Sequence, residues 1–189
     1  GLTWGGSILR PEATGFGAWM AGRSEGEFRE ALSRLAAVPV QEEQDYLAVS
    51  LGVIRDYPQT RYINLSIPTW LYGHEWTSPF ATHIAKLFEN SIREDTLLTI
   101  AYGGIIYAPG RAGTIQEVFQ EAVQNHYLTF GFASPMVFLD TEFWTKTTPF
   151  YPLLVDLLNK GIYKNLLLSL TDEVDEVVRT ITDFRNGKS

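Results

Sequence analysis

The chain contains no cysteine, which removes disulfide staples, thiolate chemistry and cysteine–zinc sites from the possibilities. It is also short of cations, with 15 Lys plus Arg against 22 Asp plus Glu and a formal net charge of −7. A polyanion track such as duplex nucleic acid needs a basic surface, so the charge balance argues against that class of partner and none is expected. A mononucleotide is not excluded, because backbone N–H groups and a single arginine can hold one. No stretch approaches the ~18 to 20 apolar residues of a membrane-crossing helix. The chain therefore reads as a protein without a membrane partner, compatible with a reducing cytoplasm, and a cytoplasmic location is the expectation. The three histidines, His74, His83 and His126, show no His-x-x-x-His spacing and have no cysteine helpers, so no metal is expected. There is no internal repeat and no low-complexity linker.

What is present suits one well-buried domain. The 189 residues, 45% of them hydrophobic, are enough for a single domain over 1–189 and too few for two of ordinary size. Apolar segments alternate between strand-like and helix-like periods, as in parallel α/β units. The spacing predicts helices over Glu12–Ala21, Ser24–Ala37, Glu42–Asp56 and Ser78–Glu94, and a strand over Tyr62–Ile67. In the first of these, Gly15 and Gly17 would permit close packing of helix on sheet. The second carries a Ser24-x-x-Glu27 capping box and an apolar face of Phe28, Ala31, Leu32 and Leu35. The polar tail Arg185–Ser189 is expected to fray.

The most informative stretch is Pro109-Gly110-Arg111-Ala112-Gly113-Thr114-Ile115-Gln116-Glu117. It follows the apolar Gly104–Ala108, which reads as a buried parallel strand. It opens a helix whose face is Ile115, Val118, Phe119, Ala122, Val123 and His126, with Glu117 and Glu121 off that face. Strand, glycine turn and helix in this order form a place where α/β proteins hold phosphates. Gly110 and Gly113 would allow positive φ angles and close backbone approach. The same residues also fit a capping box, Thr114-x-x-Glu117, at an ordinary strand-to-helix turn. The residues themselves leave both readings open.

In a parallel sheet, ligands lie outside the carboxyl ends of the strands. That rule would gather the loops at Gly5–Arg10, Pro68–Ser78, Pro109–Gly113 and Asp140–Pro149. The second loop is rich in polar and aromatic groups: Thr69, Trp70, Tyr72, Gly73, His74, Glu75 and Trp76. A ring such as Tyr72 could stack on a base while His74 or Glu75 contacts base or ribose; alternatively the aromatics only cover the core. Asp140, Thr141 and Glu142 read as a strand-ending turn. Arg93 has Glu89 four residues before it, which is the spacing of a solvent-facing ion pair.

The stretch Pro-Gly-x-x-Gly-Thr-x-x-Glu at 109–117 resembles the PGGxGTxxE signature of the Lonely Guy family. These are Rossmann-like phosphoribohydrolases that release cytokinin-type bases from nucleoside 5′-monophosphates, often mislabelled lysine decarboxylases. Ser91-Ile92-Arg93-Glu94 is similar to the Arg-Lys pair that precedes the family signature, with Glu94 in place of the lysine. Arg111 stands where the family has its second glycine. Ser134–Asp140, Phe150–Leu154 and Leu166–Asp172 resemble the family's later strand, closing helix and closing strand, so the likeness covers roughly residues 60 to 185. Gly5-Gly6-Ser7 resembles its other glycine-rich loop.

The resemblance implies an α/β, Rossmann-like parallel sheet with helices on both faces, and 24–57 would be a helical insertion. In the family a strand–helix–strand unit precedes the first glycine loop. Here the expectation is a fragment or shortened relative lacking the first strands, with an exposed sheet edge covered by another chain in a homo-oligomer, a dimer as is typical of the family. The resemblance also implies that Arg93 and Glu117 are catalytic. Gly5, Gly6, Gly110, Arg111, Ala112, Gly113 and Thr114 would hold the nucleotide, and no cofactor would be needed. Two alternatives stand beside hydrolysis: a nucleotide-sensing module without turnover, motivated by Arg111, and an assembly fragment with no site of its own.

Overall fold

The computed structural model describes residues 2–4, 9–39, 42–70 and 77–187. The protein is α/β and Rossmann-like: helices alternate with short strands, and among the described residues every strand pairing is parallel. By its contacts the chain divides into two compact units, Gly1–Leu97 and Leu98–Ser189, each carrying a three-stranded sheet.

In the first unit, β1 (Leu2–Trp4), β2 (Asn64–Ser66) and β3 (His83–Ile84) lie in the order β1-β2-β3. The helices are α1 (Leu9–Trp19), α2 (Glu25–Ala36) and α3 (Glu43–Asp56). The predicted capping box forms: Ser24 Oγ accepts from Glu27 N, while Glu27 Oε2 accepts from Ser24 N at 2.9 Å. Ala31 and Leu35 of α2 and Tyr46 and Val53 of α3 bury with Phe16, Met20 and Phe80 in one core. Phe16 lies 5.1 Å from Phe28 and edge-on to Phe80 at 5.4 Å, ring pairings that add to simple area burial. Of the two α1 glycines, Gly15 is buried. A Cβ on Gly17 would meet nothing within 4 Å, so the close-packing expectation fails there.

The helix expected over Ser78–Glu94 does not exist. Residues 78–89 form a turn and the short strand β3, and helix α4 runs later, over Asn90–Ile100. The cause is a side-chain clasp. Thr82 N donates to Asn64 Oδ1 at 2.9 Å, Asn64 N donates to Thr82 Oγ1 at 2.8 Å, and Asn64 Nδ2 donates to Phe80 O at 3.2 Å. Such bonds give the backbone an alternative to the helical ladder, and they tie 82–84 alongside β2. Phe80 is buried as its pattern suggested, but Ile84 and Phe88 of the same imagined face are exposed.

The second unit has β4 (Ile105–Tyr107), β5 (Pro135–Leu139) and β6 (Leu167–Thr171) in the order β4-β5-β6. Helix α5 (Ala112–Tyr127) joins β4 to β5; a π-helical turn (Phe143–Thr147) and α6 (Phe150–Asn159) join β5 to β6; α7 (Val174–Arg185) follows. β5 is central and buried along Pro135–Phe138, which is why it reads as an uninterrupted apolar run. Trp144 is fully buried among Tyr107, Phe138 and Leu154, and its Nε1 donates to Tyr107 O and Leu139 O, each at 3.1 Å. Gly104 has φ +119, and a Cβ there would stand 2.5 Å from Ile181 Cδ1, so only glycine fits beneath α7.

Candidate functional site

In the second unit, the predicted order of strand, turn and helix is present. β4 ends at Tyr107, residues 108–111 turn, and α5 starts at Ala112. The capping box expected at Thr114 and Glu117 is overturned. Arg111 is the N-cap, in extended conformation (φ −117, ψ −158), so Thr114 is already the third helical residue. Arg111 provides no side-chain acceptor, and the helix therefore begins without the oxygen that Ser, Thr, Asp or Asn would supply to its first amides. Arg111, Ala112 and Gly113 are exposed. The result is an accessible helix N-terminus at the carboxyl end of a parallel strand, the setting in which backbone N–H groups take up anions.

Neither Gly110 nor Gly113 adopts a positive φ, contrary to expectation. Gly110 serves close approach instead. A Cβ there would overlap Thr114 Oγ1 and Cβ and come within 2.7 Å of Thr114 Cγ2, so the Thr114 side chain rests against bare backbone. Half-buried Glu117 lies one helical turn beyond Gly113.

Farther along α5, at the amino end of β5, lies a polar group that the expected helical face did not include. Glu121, expected off the buried face of α5, is only 3% exposed, and Asn125 is buried beside it, whereas Val123 of the expected face is exposed. Val118, Glu121, Ala122 and Asn125 are the buried residues of α5, so its inward stripe is rotated from the expected one. Ser134 Oγ donates to Glu121 Oε1. Asn125 Nδ2 donates to Ser134 O at 2.9 Å, and Ser134 N donates to Asn125 Oδ1 at 2.8 Å. Burial raises the Glu121 carboxyl above its ordinary range, against the smaller pull of the Ser134 hydrogen bond. Tyr107 also faces this region. Burial first, then the charges of Glu121 and Glu117, push its phenol well above its usual value, and its hydroxyl has no hydrogen-bond partner. The i, i+3, i+4, i+7 spacing of Val118, Glu121, Ala122 and Asn125 was the available signal.

In the first unit, Arg93 is not the solvent-facing partner of Glu89. It is 5% exposed, and only its backbone N–H bonds to Glu89 O, at 3.0 Å. Its Nε donates to Asn90 Oδ1 at 3.0 Å, and its Nη2 lies 3.5 Å from Glu94 Oε1. Asn90 Nδ2 donates to that same Glu94 oxygen at 2.8 Å. Glu94 is wholly buried, and Arg93 Nη1 and Glu94 Oε2 are both buried without a hydrogen-bond partner. Past β2, Thr69 is buried while Trp70 is exposed, with Phe88 stacked on it at 6.3 Å and Lys86 Nζ 4.0 Å from its ring centre. The expected contacts Gly5, Gly6, Tyr72, His74 and Glu75 lie outside the described residues.

Asp140 ends β5 with φ 88, as a strand-ending turn should, and its Oδ1 accepts from Phe143 N at 2.9 Å. The segment after it is helical over 141–147, where a loop to Pro149 was expected. Among the described residues, no three His, Asp or Glu side chains cluster as metal ligands, and no helix is long and apolar enough to cross a membrane. No protein-family model matches the chain, and no curated protein matches it.

Proposed function

We propose that the protein binds a nucleoside 5′-monophosphate and hydrolyses its N-glycosidic bond, releasing the free base and ribose 5-phosphate. The observation that carries this reading is the open N-terminus of α5. Exposed Arg111, Ala112 and Gly113 follow a parallel strand, and no side chain caps their helix. A phosphate satisfies such amides and is favoured by the helix dipole. Thr114, held against Gly110, offers a hydroxyl beside them.

In the reaction the C1′–N bond breaks with its electron pair going to the base, which takes up a proton, and water supplies hydroxide to C1′. Positive charge develops on the ribose as the bond lengthens. The Glu117 carboxylate opposes that charge and orients the water. The chemistry needs no redox cofactor.

Incubation with AMP and N6-substituted adenosine monophosphates, followed by chromatography of the free base, tests the reading. Glu117→Gln should lower base release by about 10²- to 10³-fold, the scale of losing one electrostatic stabiliser. Equal release by the parent and Glu117→Gln would sink it. Exposed Arg111 favours a second reading, a sensor that binds without turnover, since its guanidinium can pair with a further phosphate. Calorimetric titration with AMP, ADP and ATP separates the two: a sensor binds the longer phosphates more tightly and releases no base.

A further inference from the structure

Tyr107 ends β4, and residues 108–111 carry the chain from it to the open N-terminus of α5. It is 2% exposed and lies in one core with Val118 and Ala122 of α5. Its ring is fixed in place. Phe138 stacks on it at 5.0 Å, Trp144 stands edge-on at 6.5 Å, and the Tyr107 carbonyl accepts from Trp144 Nε1 at 3.1 Å. Yet its hydroxyl is buried without a hydrogen-bond partner. Such a group is costly and calls for an explanation beyond packing, since phenylalanine would fill the same space.

The charged groups that bear on this hydroxyl are Glu121 and Glu117 of α5, which precede the Ala122 and Val118 of the same core. From β5 and the π-helical turn the ring meets Phe138 and Trp144, neither of which titrates. Glu121 is already served: Ser134 Oγ donates to it, and burial holds its carboxyl toward the neutral acid. Glu117 is the half-buried one, a turn nearer the start of the helix.

We propose that Tyr107 is a positioning residue for Glu117, its hydroxyl donating to the Glu117 carboxylate in the reacting complex and fixing the direction in which that carboxylate points. The proposal rests on the hydrolytic reading above and adds the group that holds its carboxylate. Because the ring is fixed, the carboxylate does the moving, by a change of side-chain rotamer. Burial and the two glutamates keep the phenol protonated, so it remains a donor at neutral pH. A donor to an ionised carboxylate favours that form, the one that opposes positive charge on the ribose. Tyr107 touches no substrate and acts through Glu117.

The test is a double-mutant cycle on base release from AMP, with Tyr107→Phe, Glu117→Gln and the two together, beside urea denaturation of each protein. Tyr107→Phe keeps the ring and removes only the hydroxyl. It should lower kcat by about ten- to a hundredfold, the scale of one hydrogen bond to a charged group, and leave KM within about twofold. Its urea midpoint should stay at or above the parent's, because an unsatisfied hydroxyl has left the core. On the Glu117→Gln background the same change should lower kcat by less than about twofold, since the group it acts through is gone. Release by Tyr107→Phe equal to the parent's would overturn the positioning role and leave the hydrolytic reading intact. So would an undiminished further loss on the Glu117→Gln background, or a loss of kcat that comes with a lower urea midpoint. Release by the parent no greater than by Glu117→Gln would overturn both.

Discussion

Glu94 and Glu121 are both buried glutamates on helices, but they are buried on different terms. Glu121, in the second unit, accepts from Ser134, whose backbone is in turn held from both sides by Asn125. That set pins α5 to the start of β5, although the Tyr107 hydroxyl that faces it is buried without a partner. Glu94, in the first unit, shares one oxygen with Asn90 and Arg93 and leaves the other open, next to an open guanidinium nitrogen. A satisfied buried network rigidifies a fold, whereas a partly satisfied one is costly to bury. The contrast is between a glutamate tied into the start of β5 and one whose second oxygen is left open.

The largest expected effect tests that division directly. Glu94→Leu alone strands a buried guanidinium and should cost about 3–5 kcal/mol of stability. The double change Arg93→Met, Glu94→Leu removes both charges for apolar groups of similar size and should be neutral or stabilising by about 1–4 kcal/mol. Urea denaturation at pH 7 measures both. A double variant as unstable as the single one would make the pair structural and erase the contrast.

How much of this was legible beforehand depended on how far apart the deciding contacts lie. The Ser24 capping box is a contact between residues three apart, and β5 announces itself by burial along its length, so both were readable. The pattern Phe80, Ile84, Leu87, Phe88 has helical spacing, yet Asn64 and Thr82, 18 residues apart in sequence, decide for a strand. Likewise Thr114-x-x-Glu117 has the form of a capping box, but the helix starts early at Ala112 because Arg111 is already extended and Gly110 lets Thr114 tuck against the backbone. The turn at 109–113 was locatable from its glycines and the change of period. The burial of Arg93 and Glu94 was not, because a charged pair one residue apart on a helix reads as solvated until tertiary packing is known.

A middle-sized effect is expected on the closed side of the comparison. Asn125→Ala removes the amide that pairs with both Ser134 N and Ser134 O, leaving two buried backbone groups unsatisfied. The loss should be about 2–4 kcal/mol, seen as a lower urea midpoint with an unchanged slope. AMP affinity of the protein that remains folded should stay within about twofold of the parent. A fall in affinity of tenfold or more would show that the Glu121 group is not purely architectural.

The smallest effect is a slope with pH. Burial raises the Glu121 carboxyl above its ordinary value of 4.5, so the folded state holds that proton more tightly than the unfolded chain does. Its contribution to stability is therefore fully present below 4.5 and is lost as pH rises through the folded value, where a charged group is left in a buried place. Glutamine stays neutral throughout and can still accept from Ser134. Glu121→Gln should thus gain stability relative to the parent as pH is raised from 4 toward 7, with the difference levelling off once the folded carboxyl has ionised. Thermal melts of the two proteins across that range provide the measurement. A difference that does not change with pH would mean that Glu121 titrates alike in the folded and unfolded chain, and its assignment as a closed architectural group would lose its electrostatic support.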